Sequence, residues 1–455
     1  MFDLSQVPLI AKTAAIAFLM LVHIQFAAFL IGIFGIGATM EFFGVLNPNH
    51  RFFDRFAHRI GFTAVVIYST GAVLAIVFML FAAIFLPSFW YILFHNTFWP
   101  FTLEGMTFVL VAAFLFPWYY TWHRLVGPFK PVHVALAIAL LISAQLQQAM
   151  IDVVAAYMLT PQSPQELLRL FLNASSLPLD LHRLAGDFSF AGFVIAGYAA
   201  VRMLRARDDD HRAYYDWMGS IGLVIGVAFL FIQPAIGVAY VEEIRAQSPG
   251  AFDVMMRGDR AWFFLALVVS VSILFSASVW YMREQVRKSN RHGQGLLTAL
   301  LVIIGLSALL LIQPAVIGPN QYYYWVNWVN PAGTMQPWKY IAFAVMTLAA
   351  LAALLVYLGA WGRGLRWGHS GPRGRRAQYV LLSLAILTSA TMMWMGYIRE
   401  TSRLPYLVYY RQYRQEPQQF PPFSPTPLPT GAISEGSPWG YSGVDTVSAT
   451  GGAGE

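Results

Sequence analysis

Hydrophobic positions in this chain come in long blocks separated by short polar breaks. Apolar runs near 9–41, 60–87, 102–122, 132–159, 182–205, 215–239, 261–282, 296–317, 338–361 and 378–399 are each near or above the ~20 residues that a helix rising ~1.5 Å per residue needs to cross a hydrocarbon core of ~30 Å. The pattern predicts an all-α fold, a polytopic transmembrane bundle of about ten membrane-spanning helices. After Arg403 the sequence turns to Pro, Gly, Gln and Ser, a composition that buries no core. Residues 1–403 therefore read as one helical membrane domain and 404–455 as a disordered or surface-draped tail without chemistry of its own.

The polar breaks carry orientation. Arginine and lysine concentrate after the odd-numbered helices: Arg51, Arg55 and Arg59; Arg124 and Lys130; Arg202, Arg205, Arg207 and Arg212; Arg283, Arg287, Lys288 and Arg291; then Arg363 to Arg376. The positive-inside rule makes those loops cytoplasmic, with the N-terminus and C-terminal tail on the outer side of a cell inner (cytoplasmic) membrane. The break after the eighth helix, GPNQYYYWVNWVNPAGTMQPW, is rich in aromatic and turn residues and reads as a lid at the outer interface. The first twenty residues lack a basic leader and a small-residue cleavage site, so they read as a retained first helix.

Composition agrees with a membrane body: 58% hydrophobic, 16% aromatic and only 11% charged residues. The net charge of +7 is mostly loop arginine, which fits topology and contact with acidic membrane lipid and argues against nucleic-acid binding. The chain has no cysteine, which excludes disulfides, iron–sulfur clusters and covalently attached haem c. Any redox centre must be held through His, Met or carboxylate.

Few residues inside the apolar blocks have such chemistry. His182 stands at the mouth of the fifth helix, where its ring needs a metal, a haem iron, a proton path or an interfacial hydrogen bond. On the predicted topology Glu104, Met346 and Met393 share the outer half of the membrane with His182, and His23 lies nearer the middle. Imidazole, thioether and carboxylate groups converging on one leaflet suit non-covalent haem ligation. Neither Met346 nor Met393 stands out alone among seventeen methionines, most of which fill the core. Asp187, four residues past Arg183, either joins a proton or propionate network or pairs with Arg183, the pairing being the expected outcome at i,i+4 spacing. His123, His133, His292 and His369 fall at helix ends or in loops and are expected to be solvated.

These residues resemble subunit I of the cytochrome bd-type quinol oxidases. His23 is followed by Glu41 in ATMEFFGV; the third helix carries Leu103-Glu104-Gly105 and ends in Trp122-His123-Arg124-Leu125; the fourth ends in Tyr157-Met158-Leu159-Thr160-Pro161. The fifth carries His182, Gly197, Met203-Leu204 and Arg207-Asp208; the ninth carries Tyr340 to Met346; the last closes in Gly396-Tyr397-Ile398-Arg399-Glu400 and Arg403-Leu404-Pro405-Tyr406. The resemblance implies that His182 and Met346 ligate a low-spin haem b reduced by quinol. His23 and Glu104 would belong to a catalytic region with a second, high-spin haem b or haem d, where oxygen is reduced. Arg183 and Arg399 would be propionate partners. It also implies a homologous subunit II-like membrane partner and access to the quinone pool.

The chain departs from the family in places. Ala112 stands where the family has a second carboxylate, Met393 where the last helix carries a glutamate, and apolar residues fill the polar motif around Ala75 to Phe78. The large quinol-binding loop is missing. In its place are a short segment, an extra pair of helices, and a repeat, Phe231-Ile232-Gln233-Pro234-Ala235 echoed by Leu311-Ile312-Gln313-Pro314-Ala315. The repeat fits two kinked helices lining a cleft, with the glutamines as quinone or haem contacts, or two helix-capping prolines. Losing buried carboxylates bears on proton delivery. An alternative is therefore a haem b electron conduit between the quinone pool and a partner c-type cytochrome. A third reading is a haem-free, transporter-like subunit.

Overall fold

The structure, a computed structural model, describes residues 9–47, 51–161, 167–256, 260–289, 293–312, 337–365, 367–368, 372–403, 406–409 and 412–413. The aromatic segment after the eighth helix, Gln313 and its Pro-Ala, His292, His369 and most of the tail lie outside them.

Over the described residues every apolar block becomes a helix. They are α1 (Leu9–Leu46), α2 (Arg51–Phe85), α4 (Phe98–Tyr120), α5 (Lys130–Leu159), α7 (Ser176–Arg205), α8 (Asp209–Gln247), α10 (Ala261–Ser289), α11 (Gln294–Ile312), α12 (Pro337–Gly362) and α13 (Pro372–Ser402). These ten are long and apolar enough to cross a membrane. Three short helices, too short to register as membrane spans, lie between them: α3 (Pro87–Asn96), α6 (Leu167–Phe171) and α9 (Pro249–Met256). The long helices also extend beyond their apolar blocks. Arg51 to Arg59 is charged yet helical at the start of α2, because polar residues beyond the hydrocarbon interrupt the apolar run without breaking the backbone ladder.

Local chemistry sets several boundaries. Pro87 opens α3 immediately after α2 ends, at the first helical position, where its missing N–H costs nothing. Asp208 caps α8, its side chain accepting from the His211 amide at 2.9 Å. Pro234 lies inside α8, which continues as a helix to Gln247.

α7 and α8 form the centre. Their crossing is backbone on backbone: a Cβ on Gly192 would lie 2.5 Å from Gly226 N and 2.6 Å from Gly222 O. Ser189 Oγ donates to Gly226 O across the same crossing at 2.9 Å. On one side α1, α2, α4 and α5 pack against this pair, with Phe34, Phe56, Leu115, Trp118 and Leu140 in the core. On the other side α10, α11, α12 and α13 pack around Phe275, Ile304, Met346 and Leu381. Folding continues past Arg403. Tyr406–Val408 pairs antiparallel with Gln412–Tyr413 in a two-stranded ribbon, the only strands among the described residues. Val408 is buried against α5, and the Tyr409 amide donates to Met158 O at 2.9 Å. The start of the segment expected to be a tail is thus a plug over one end of the bundle.

Candidate functional site

His182 lies less than two turns into α7, facing α8. Its Nδ1 is buried without a hydrogen-bond partner among the described residues; the Gln233 backbone lies close by but outside bonding geometry. Gly237 makes room for the ring: a Cβ there would come within 3.2 Å of Cε1. Tyr240, one turn further along α8, stacks on the imidazole with centroids 6.4 Å apart. The Gln233 amide reaches α7 at Gly186, where a Cβ would lie 2.8 Å from Nε2. A buried imidazole that makes no well-formed hydrogen bond and faces glycine suits an axial haem ligand.

Met346 is fully buried on α12. It packs with Leu230 of α8 and with residues of α10, α11 and α13. α12 packs on α8, α10 and α11, and His182 meets α8 from α7. His23 sits on α1 with Nδ1 3.2 Å from Gly71 O of α2. That carbonyl can only accept, so Nδ1 carries the proton and the Nε2 lone pair is left for a metal, the tautomer lock common to ligating histidines. Glu104 of α4 accepts from Gln147 Nε2 of α5 at 2.7 Å. Met393 is half-buried on α13.

Both arginines named above already hold protein partners. Arg183 forms an ion pair with Asp152 of α5, which is 1% exposed. The pairing with Asp187 expected from i,i+4 spacing is therefore replaced by one between helices, because a buried carboxylate on α5 faces the guanidinium. Arg399 of α13 donates from Nε to Tyr240 Oη at 2.9 Å and from Nη2 to Ala155 O at 2.6 Å. It also pairs with Glu400 at 2.5 Å, and Glu400 pairs with Arg403 at the same distance. Arg399 thereby ties α5, α8 and α13 together beside His182.

The expectation that His133 is solvated is wrong. His133 is fully buried near the start of α5, its Nδ1 against Glu41 of α1 and its Nε2 2.7 Å from Trp118 O of α4. Glu41, also fully buried, accepts from Trp118 Nε1 at 2.8 Å and from Lys130 Nζ at 2.9 Å. Since Nε2 donates to a carbonyl, the Glu41–His133 contact shares one further proton. Sequence position suggested a loop histidine because hydropathy sees only the helix end, whereas the partners come from two other helices. The sequence did not point to Asp216 either. It is buried on α8 and accepts from Gln285 Nε2 and Gln378 Nε2 at 2.9 Å each and from Gly368 N at 3.0 Å. It fastens α10 and α13 to α8 far along the chain from the His182 end.

Known proteins share this fold. In fold the chain is similar to a solved bd oxidase structure from Geobacillus thermodenitrificans, with a TM-score of 0.51 over 86% of this chain and 98% of that one, at 16% identity. A search of curated protein sequences finds no significant match. The family model for cytochrome bd terminal oxidase subunit I matches residues 13–418, nearly all of the helical body and the plug that follows it. On that match, this multi-pass membrane chain belongs to the cytochrome bd terminal oxidase subunit I family.

Proposed function

We propose that this chain is the haem-bearing subunit of a quinol oxidase in a cell inner membrane, passing electrons from quinol through haem b to oxygen. The observation that carries the reading is the buried Nδ1 of His182, which makes no well-formed hydrogen bond, at the position to which the sequence resemblance gives a haem ligand. His182 and Met346 would hold the low-spin haem, His23 the second haem, a high-spin haem b or haem d, and Glu104 would serve beside it. Bound there, haem supplies one-electron redox chemistry.

The protein's own part is orientation and charge. Tyr240 and Gly237 fix the plane and room of the His182 ring, and the Gly71 carbonyl fixes the tautomer of His23. Glu104, held by Gln147, is a carboxyl group placed to carry a proton in an otherwise apolar helix. Arg183 and Arg399 put positive charge beside His182, where haem propionates would need it. Met393 adds a polarisable side chain on α13. The N-terminus and tail are assigned to the outer side, and a subunit II-like membrane protein is the expected partner.

The test is a reduced-minus-oxidised optical spectrum of the purified complex, with and without carbon monoxide, beside His182→Ala. A low-spin b signal lost in the variant, with a carbon monoxide-reactive component retained, supports the reading. A low-spin signal without carbon monoxide response points instead to electron exchange with a c-type cytochrome. No haem absorbance refutes both.

A further inference from the structure

Three carboxyl groups surround one guanidinium in the contact between α5 and α7. Asp152 pairs with Arg183, and Asp180 accepts from Gln145 Nε2 at 2.9 and 3.0 Å. Asp187 lies one turn past Arg183. Asp152 and Asp187 are 1% and 2% exposed, and Oδ2 of each is buried without a partner among the described residues. A second feature points at the same spot. Gln148 of α5, 2% exposed, lies against Asp187 and Asp180, yet neither its amide nitrogen nor its carbonyl oxygen meets hydrogen-bond geometry.

The charges facing the cluster do not balance it. Besides Arg183, α13 contributes Arg399, which Tyr240, Ala155 O and Glu400 already occupy. α1 contributes His23, whose Nδ1 is spent on Gly71 O, and α8 contributes only the neutral Gln233. The hydrogens do not balance either. An ionised carboxylate and an amide carbonyl are both pure acceptors: the Gln148 N–H groups can serve an ionised Asp187, but Gln148 Oε1 is then left without a donor. One added proton supplies that donor: the acid O–H donates to Gln148 Oε1, and the Gln148 N–H groups remain free to donate to the neighbouring carboxyl oxygens. Burying a neutral acid in a satisfied pair is also far cheaper than burying a charge with an orphaned oxygen.

We propose that Asp187, with Gln148 and Asp152 beside it, is a proton-binding site in which Asp187 is held as the neutral acid, hydrogen-bonded to the Gln148 carbonyl. This site stands on the residues alone. Its use rests on the haem reading above: Asp187 is five residues from His182 on the same helix. One electron from quinol reaching that centre would change the field on the neutral acid and shift its hydrogen bond to Gln148, with Asp187 keeping its proton in both states.

The experiment is infrared spectroscopy of the full chain in its complex, at neutral pH, with the haem optical spectrum recorded on the same sample. The wild type is expected to show a protonated-carboxyl C=O stretch that shifts down in D2O and is lost in Asp187→Asn, which keeps the shape and supplies the N–H. Gln148→Leu should move the band to higher wavenumber, because the acid loses its acceptor; this arm does not depend on Asp187→Asn folding. Reduction of the wild type should change the band, and Asp187→Asn should abolish that change. Absence of the band in the wild type, a band that Asp187→Asn leaves unaltered, or a band that emerges only when alkali cations are removed would each overturn the proton site. Haem present with no redox response of the band overturns the coupling. A resting band in a sample without haem supports the site while removing the haem reading.

Discussion

Substituting Gly192 by alanine tests whether the α7–α8 crossing positions the site. The new Cβ would sit 2.5 Å from Gly226 N and 2.6 Å from Gly222 O, with backbone on both sides and no flexible side chain to yield. Ordinary contact begins near 3.4 Å, so the helices must separate by 3.4 − 2.5, about 0.9 Å. Overpacking on this scale costs about 1–3 kcal/mol. Because Ser189 bridges to Gly226 O here, the shift also stretches a buried hydrogen bond. Gly305 in α11 is the control, since a Cβ there meets nothing within 4 Å. Alanine at that site should be neutral or stabilising by up to about 1 kcal/mol, through helix propensity alone. Thermal unfolding of both variants in detergent, followed by circular dichroism and by cofactor absorbance, should show Gly192→Ala melting lower and Gly305→Ala not. Equal melting of the two variants would refute the claim that this crossing is sterically fixed.

Three further outcomes follow from the charged groups. Arg183→Met should destabilise by about 3–5 kcal/mol by leaving Asp152 charged and unpaired, and Asp152→Leu on top of it should recover most of that loss in the same melts. Glu41→Leu should cost at least about 1–3 kcal/mol, because Trp118 Nε1 and His133 lose a buried acceptor, with hydrogen exchange rising at the joined ends of α1, α4 and α5. At Asp208 the His211 backbone amide, then its side chain, hold the carboxyl below its ordinary value of 3.8. A depressed value means that the cap stabilises above that value and is lost as pH falls through the lower folded one. Asp208→Ala should therefore loosen the start of α8 at neutral pH and make no difference in strong acid, as read by amide exchange at α8.

By itself the sequence determined the helices, their number and the class of protein, because twenty apolar residues in a row have one way to satisfy their backbone in lipid whatever their neighbours do. It also singled out His182, His23 and Glu104, since a polar side chain in an apolar block is conspicuous without coordinates. Pairing was decided by the tertiary structure. Arg183 turns to Asp152 rather than to Asp187, and His133 is buried between Glu41 and Trp118 rather than solvated, because each partner lies on another helix at a separation that no local spacing encodes. The short helices and the plug around Val408 were equally invisible. The short helices are apolar but far too short to span, so hydropathy merges them with their neighbours or passes them over, and only the surface offered by α5 gives Val408 something to bury against. The excess of carboxyl groups around Gln148 belongs to the same class of fact. Composition counts the acids, but only helix packing brings three of them around one guanidinium and leaves a hydrogen missing.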